Sequence, residues 1–280
     1  KNSFIGFEYS NKMFLPDGFY LTPITEESQL SMYGFYQTYL NKLNIDFMSS
    51  FRFGDLNIIP GDYVFISGNR NLFQKNQDGD LVLDDNGDPI SLVKERKFQN
   101  FSISFGFKKN IGKFQFDSWF MHTMRPPRVE ELYSDGPHLA AYSFEIGNPD
   151  LNSERIYGIE NSIGYQSNFF DFSLVTFYNY SPYYFQMSKD GHCEIPSDWQ
   201  PWISHPCYGV DWIDWGSGGL GWLHKYSAKG YEVTIKGIEL DLGYKINNFE
   251  LGYNFSLVNG INETLGGNPL SYMNPTKQIL

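Results

Sequence analysis

The chain has 280 residues, a formal net charge of −11 and an aromatic content of 18%. This acidic balance excludes the basic patch of a nucleic-acid-binding protein, and no stretch reaches the roughly 18 apolar residues of a transmembrane helix. Many aromatic side chains in a chain of mean hydropathy −0.39 indicate alternating apolar and polar positions, which the length allows within one large β domain.

Ten segments have the composition and alternation of β-strands. In the fourth segment, for example, Phe101 and Phe105 share one face and Asn100 lies on the other. The third and ninth segments alternate as cleanly, whereas the fifth and seventh carry apolar residues on both faces, so their orientation stays open. The segments are 1–9, 29–40, 43–53, 98–108, 114–124, 154–166, 170–180, 230–245, 249–259 and 271–280.

The connections between these segments alternate between long and short. In an antiparallel sheet all the long ones would lie at one end, as in outer-membrane barrels with tight periplasmic turns and long extracellular loops. The long connections hold 22 of the 32 acidic residues and 11 of the 21 basic ones, so the negative charge is concentrated at that end. The long connections are 10–28, 54–97, 125–153, 181–229 and 260–270, and the short ones are Asn41-Lys42, Lys109–Lys113, Ser167–Phe169 and Ile246–Asn248.

We therefore predict an all-β fold, a transmembrane antiparallel β-barrel of which these strands form part, with an apolar outer face and a polar lumen face. The acidic end could attract cations, or its carboxylates could simply keep exposed loops soluble. A secreted glycan-binding β-sandwich is disfavoured, because nothing in a sandwich requires every long loop to lie at one end.

The longest informative stretch runs from Arg125 to Glu154, RPPRVEELYSDGPHLAAYSFEIGNPDLNSE. Its turn residues predict that Asp135-Gly136-Pro137 and Gly147-Asn148-Pro149 lie outside regular elements. The pattern R-P-P-R-x-E-E-L-Y-S-D-G-P-H, followed by F-E-x-G-N-P-x-L-x-x-E, resembles the long loop in the barrels of TonB-dependent outer-membrane receptors. The segments 225–244 and 262–276 also resemble this family, with Thr276 in place of the second proline of a Pro pair.

This resemblance implies that residues 1–280 are a barrel fragment of a plugged receptor of about 22 strands, and we expect the plug domain and the signal peptide to be missing from it. The implied function is active uptake of a scarce ligand across the outer membrane of a Gram-negative-type bacterium. The TonB–ExbB–ExbD complex would drive uptake through the plug, and the outer-membrane lipid would surround the barrel. The alternative is a passive porin-like or adhesin-like barrel, which would have no plug.

The central loop is most similar to that of receptors grouped with zinc and haem uptake. This similarity implies ligand-binding roles for His138, Arg125 and Glu131 in the loop. A solvated loop histidine is the alternative for His138. We also expect His122, near the outer end of its strand, to line the upper lumen instead of the aromatic belt.

A second candidate site lies in the connection 181–229, which combines imidazole, thiol and carboxylate groups. Imidazole and thiolate are ligands that borderline metals such as zinc prefer. A disulfide between Cys193 and Cys207 competes with thiolate ligation, because an extracellular loop is in an oxidising environment. We predict the disulfide, with any metal bound instead by His192, His205, Asp190 and Glu194.

The acidic segment 70–95 carries Asp-Gly and Asn-Gly turns, which predict an extracellular hairpin. Its clustered carboxylates would suit calcium, but the complete calcium-loop pattern is missing. No catalytic motif is present, so we expect no enzyme and no required cofactor. Zinc, haem or calcium would be bound as ligands of a receptor.

Overall fold

The computed structural model describes residues 1–16, 22–63, 71–189, 197–198, 200, 207, 212–214, 222–270 and 277–279. Its long strands are β1 (Asn2–Phe14), β2 (Thr25–Leu40), β3 (Ile45–Pro60), β4 (Arg96–Ile111), β5 (Phe114–Arg125), β8 (Glu154–Gln166), β9 (Phe170–Lys189), β11 (Trp222–Ile246) and β12 (Phe249–Asn262). The short strands are β6 (Asp135–His138), β7 (Ser143–Ile146), β10 (Trp212–Asp214), β13 (Asn268–Pro269) and β14 (Lys277–Ile279). One α-helix, α1 (Val129–Tyr133), and one 3₁₀ turn, Leu139–Ala141, complete the elements of the described residues. No helix of the described residues is long and apolar enough to cross a membrane.

The long strands form one antiparallel sheet in the order β1-β2-β3-β4-β5-β8-β9-β11-β12. This arrangement confirms the partial barrel, because within the described residues β1 pairs only with β2 and the two edges of the sheet do not meet. The predicted strands match these elements, but Leu43 and Asn44, predicted to begin the third strand, lie in the turn before β3. Of the predicted strand 271–280 the structure describes only β14, which pairs with β12. The alternation of short and long connections is also confirmed, so all the long loops lie at one end.

Several strands are longer than predicted, and the difference is largest in β9 and β11. β9 continues past residue 180 to Lys189, and β11 already begins at Trp222, so these two strands pair well beyond the ends of their neighbours. The pairing is offset around Pro182, where β9 contributes an extra residue against both neighbours. Proline has no N–H to give to the ladder, so it is tolerated at such a bulge but hides the strand from sequence analysis.

The register gives the sheet one continuous apolar face. Residues paired across neighbouring strands point to the same side, and one such row joins Phe105, Phe120, Ile159 and Tyr178. The opposite, polar face holds the Ser50–Ser104 hydrogen bond at 2.8 Å. The register also decides which face each side chain of β5 and β9 occupies, which the sequence left open. In both strands the even-numbered residues up to position 180 lie on the apolar face.

Aromatic rings border the apolar face at both ends. Near the short turns, the Phe114 ring contacts the Tyr165 ring at a tilt of 55° with centroids 4.9 Å apart, and Phe170 lies beside them. The aromatic row nearest the loops on these strands, with Tyr157 and Tyr180, lies about eight residues further along the strands, about 26 Å of extended chain. At a tilt of about 40° this distance gives a height of about 20 Å, close to the roughly 25 Å apolar band of membrane barrels. The apolar face therefore has the height of a bilayer core.

Adjacent residues of β12 test this face assignment. Phe255 lies on the apolar face and Asn254 on the polar face. Phe255→Arg should destabilise the folded barrel by about 2–4 kcal/mol, because it places a cation among lipid chains, whereas Asn254→Arg should be tolerated. Urea titration of barrels refolded in lipid vesicles measures both. Equal destabilisation by the two variants would contradict the assignment of faces.

Candidate functional site

The connection after β5 folds into a small structure of its own at the loop end of the sheet. We predicted Asp135-Gly136-Pro137 to lie outside regular elements, and this prediction is wrong: they form β6, which pairs with β7, while β7 runs parallel to β11. β6 has β7 as its one partner among the described strands, and an edge strand tolerates a proline such as Pro137. Gly147 and Pro149 lie outside regular elements, as predicted.

The folded connection packs against the upper ends of the strands. Leu132, Tyr133, Phe144 and Leu151 are completely buried, together with Ile58 of β3. The Tyr133 hydroxyl donates a 2.7 Å hydrogen bond to the Lys94 carbonyl oxygen, and burial raises the pKa of this phenol. Described parts of several long loops therefore share a core of their own at the loop end of the sheet.

Arg125 anchors the start of this connection. Its Nε donates to Glu154 at 2.7 Å, and its two terminal nitrogens bind Glu131 at 3.0 and 3.1 Å. Glu131 also accepts the main-chain N–H of Arg128 at 2.8 Å, which caps α1, and the guanidinium lies 4.8 Å from the Phe185 ring. The ligand contacts expected for Arg125 and Glu131 stay a prediction. In the structure their side chains bind each other and hold the start of the loop.

Asp135 joins two of the long loops. Its buried carboxylate accepts hydrogen bonds from the Tyr63 hydroxyl at 2.6 Å, from the Asn71 side-chain amide at 2.7 Å and from the Asn71 main-chain N–H at 2.8 Å. Leu72 adds a fourth at 3.3 Å. Burial raises the pKa of Asp135, although these hydrogen bonds oppose the change. The sequence alone gave no sign of this contact, because its partners lie far away along the chain.

His138 is presented to solvent with a fixed ring. Its Nδ1 lies 2.7 Å from Glu145 Oε1, which also accepts from the Ser143 hydroxyl at 3.1 Å. The His138 side chain is 48% exposed, whereas that of Glu145 is 19% exposed. A carboxylate bonded to one ring nitrogen is the usual support of a metal-ligating histidine, since it leaves the lone pair on the other nitrogen. Among the predicted ligand residues that the structure describes, His138 is the one whose geometry suits metal binding.

His122 lies on the apolar face, so the predicted position in the upper lumen is wrong. It pairs with Ile103 on one side and with Tyr157 on the other, and its ring is 4.8 Å from the Tyr157 ring. The strict alternation of β5 places it on the same side as Phe120. Sequence analysis missed this because β5 carries large apolar residues on both faces.

The second candidate site lies largely outside the described residues. Asp190, His192, Cys193, Glu194 and His205 are not among them. Cys207 is described, is completely buried and is in a disulfide. Its pairing with Cys193 and the metal site beside it stay predictions. Within the described ranges no group of three His, Cys, Asp or Glu side chains is placed to hold a metal ion.

The two ends of the acidic segment pair in antiparallel fashion through Phe73 and Ser91, as the predicted hairpin requires, and two tight turns lie between them. Gly79 and Gly87 both adopt φ 88°, which only glycine takes readily. The Asp84 side chain accepts the main-chain N–H groups of Asn86 and Asp88 at 2.8 and 3.0 Å, which lowers its pKa. Asn76 binds the other turn in the same way. The Asp84 and Asn76 side chains thus stabilise the two turns by accepting main-chain N–H groups. Calcium binding at this segment stays a prediction.

Comparison with known proteins supports the fold. No family model matches the chain. Its structure is similar to that of the copper transporter OprC, with a TM-score of 0.56, 12% identity and coverage of 86% of this chain and 31% of that one. It is also similar to the Serratia marcescens hemophore receptor HasR, solved with its hemophore HasA and heme, with a TM-score of 0.56, 14% identity and coverage of 99% and 44%. The chain thus spans less than half the length of these proteins, and at such identities the similarity concerns the fold alone.

Proposed function

We propose that this chain, whose sheet has the fold of these receptor barrels, forms part of a TonB-dependent receptor in the outer membrane of a Gram-negative bacterium. One observation carries the proposal. The sheet has a continuous apolar face of bilayer height, and its long loops lie at one end, where described parts of several of them share a buried core. Such a molecule spans a membrane and offers a structured surface to ligands outside it.

The polar face favours a plugged receptor over an open porin. Trp119 and Phe177 lie on this face, half-buried, against Gly106 and Gly237 of neighbouring strands. A Cβ atom at Gly106 would lie 2.6 Å from the Trp119 ring, so the glycine lets the ring lie flat on the wall. A smooth wall that carries aromatic rings suits contact with a folded domain better than contact with water. A plug in this place would link the barrel to the TonB–ExbB–ExbD complex.

The transported ligand is a metal ion, haem or another metal chelate, captured by His138. The ring is oriented by Glu145 and offers one nitrogen to a metal that has an open coordination position. A single fixed imidazole on an exposed surface binds reversibly, as capture before transport requires. Transport needs no bond to be made or broken, so the protein has no enzymatic role.

Epitope tags test the orientation in the membrane. Gly79 lies at the tip of an exposed turn among the long loops, whereas Asn110 and Asn247 lie at the short turns at the other end. Antibody should therefore label intact cells with a tag at Gly79, and cells tagged at Asn110 or Asn247 only after permeabilisation. Equal labelling of intact cells at both ends would contradict the proposed topology.

A second experiment tests ligand capture. In cells that lack the gene, growth on haemin or on limiting zinc should be restored by the wild-type gene. His138→Ala should lose most of this growth, while Glu145→Gln should weaken binding by about 10-fold to 100-fold, because it loosens the ring. Asp85→Ala, an exposed acidic residue of another long loop, is the matched control. Full growth of the His138→Ala strain on both ligands would rule out His138 as the capturing group.

A further inference from the structure

The short strand β6 has two side chains in opposite surroundings at its two ends. Asp135 begins this four-residue strand and His138 ends it, so their Cα atoms are about 10 Å apart. Because side chains alternate along a strand, Asp135 and His138 point to opposite faces of β6. Asp135 is completely buried, whereas the His138 side chain is about half exposed. A metal ion on His138 is therefore out of reach of Asp135, and any effect of one on the other passes through the strand.

The Asp135 carboxylate binds a different long loop. Its four hydrogen bonds come from Tyr63, Asn71 and Leu72, which precede or begin the acidic segment. Behind these donors the Tyr63 ring contacts the Phe73 ring with centroids 5.0 Å apart, and Leu72 and Phe73 are almost completely buried. Asp135 therefore joins β6 to a packed base of the acidic segment.

The orientation of the His138 ring depends on where β6 lies relative to β7. Glu145, which binds the ring, is on β7 and pairs with Gly136 of β6. β7 is held on its other side by β11, whereas β6 has no second partner among the described strands. In place of a second strand, the hydrogen bonds of Asp135 hold β6.

We propose that Asp135 is a positioning residue for ligand capture, which holds His138 in place by binding β6 to the acidic segment. A histidine that is already in place loses less conformational freedom when it binds a metal, so its affinity is higher. The coupling is reciprocal, because a ligand that favours the ordered β6 favours the docked acidic segment by the same factor. We expect a factor of about 10, as for other coupled sites and for residues that orient a metal ligand. This inference rests on the proposed function.

Amide hydrogen exchange in the full-length wild-type receptor measures this coupling without any substitution. Saturating haemin or Zn²⁺ should slow exchange by about 10-fold at Asn71 and Leu72, whose N–H groups bind Asp135. The N–H of Val82 bonds within the acidic segment itself, so its exchange should not change. His138→Ala should abolish the slowing at Asn71 and Leu72. Unchanged exchange at these two residues in the ligand-bound wild type would overturn the coupling.

Substitutions in the other loop test whether docking supports binding. Tyr63→Phe/Asn71→Ala removes two donors to Asp135 without altering β6. This double variant should bind haemin or Zn²⁺ about 10-fold more weakly in titrations of the purified receptor. Tyr133→Phe is the matched control, because it removes a 2.7 Å hydrogen bond to Lys94 that joins the same two loops away from β6. It should bind both probes as the wild type does.

The outcomes separate positioning from general loosening of the loops. Equal loss of affinity in Tyr133→Phe and in the double variant would overturn the positioning role, because loosening alone would then suffice. Wild-type affinity in the double variant would overturn it as well. A wild-type receptor that binds neither haemin nor Zn²⁺ would instead overturn the proposed function, and this inference with it.

Discussion

Replacing Arg125 by methionine should destabilise the folded loops by about 3 kcal/mol, because it leaves two carboxylates without their cation. The Glu154 side chain is only 5% exposed and that of Glu131 is 21% exposed, so water cannot replace the lost guanidinium at Glu154. The loops should then become sensitive to trypsin at lower urea concentrations, while the large sheet remains folded. Proteolysis of purified protein across a urea series measures this difference.

Two further variants decide whether unpaired charge is the cause. Arg125→Met combined with Glu154→Gln should recover part of the loss, because the most deeply buried carboxylate is no longer charged. Arg52→Met is the matched control, since Arg52 binds Glu8 at 3.1 Å with both side chains about half exposed. An exposed pair of this kind should contribute less than about 1 kcal/mol. Equal destabilisation by Arg52→Met and Arg125→Met would contradict the anchoring role.

Asp135→Ala should release Asn71 and Leu72, at the start of the acidic segment, from the loop that contains Asp135. The change leaves the Tyr63 hydroxyl and the polar hydrogens of Asn71 without their acceptor. Each buried donor left unpaired costs roughly 1–3 kcal/mol, so we expect a loss of about 3–4 kcal/mol. Hydrogen exchange should report it as faster exchange at Asn71 and Leu72. Asp85→Ala, exposed in the same segment, should change stability by no more than about 0.5 kcal/mol.

The same carboxylate makes the stability of this contact depend on pH. Because burial raises the pKa of Asp135, the folded loop holds the proton more tightly than the unfolded loop does. The stability contributed by protonation is therefore complete below the unfolded pKa and is lost as pH rises through the raised folded pKa. Asp135→Ala should abolish this part of the pH dependence. An identical pH profile in the wild type and the variant would mean that Asp135 does not titrate in this way.

Sequence alone determined the features that depend on neighbouring residues. The alternation of Phe101, Ile103 and Phe105 with polar residues identified β4 and its apolar face, since the side-chain repeat of a strand is a local property. The contrast between short turns such as Asn247-Asn248 and the long acidic loops predicted which end of the sheet carries the long loops. The partial barrel could be predicted from these patterns, and the similarity of the central loop to receptor loops pointed to His138.

Only the tertiary structure decided the features that join distant parts of the chain. Asp135 binds Tyr63 across 72 positions and Asn71 across 64, and no pattern near Asp135 marks those partners. The charged residues predicted to meet a ligand, Arg125 and Glu131, turned out to bind each other, because a guanidinium satisfies buried carboxylates wherever the fold brings them together. His122 was assigned to a face only by its pairing with Ile103 and Tyr157. A strand with large side chains on both faces has no local signal that distinguishes lipid from lumen, so the neighbouring strands set its orientation.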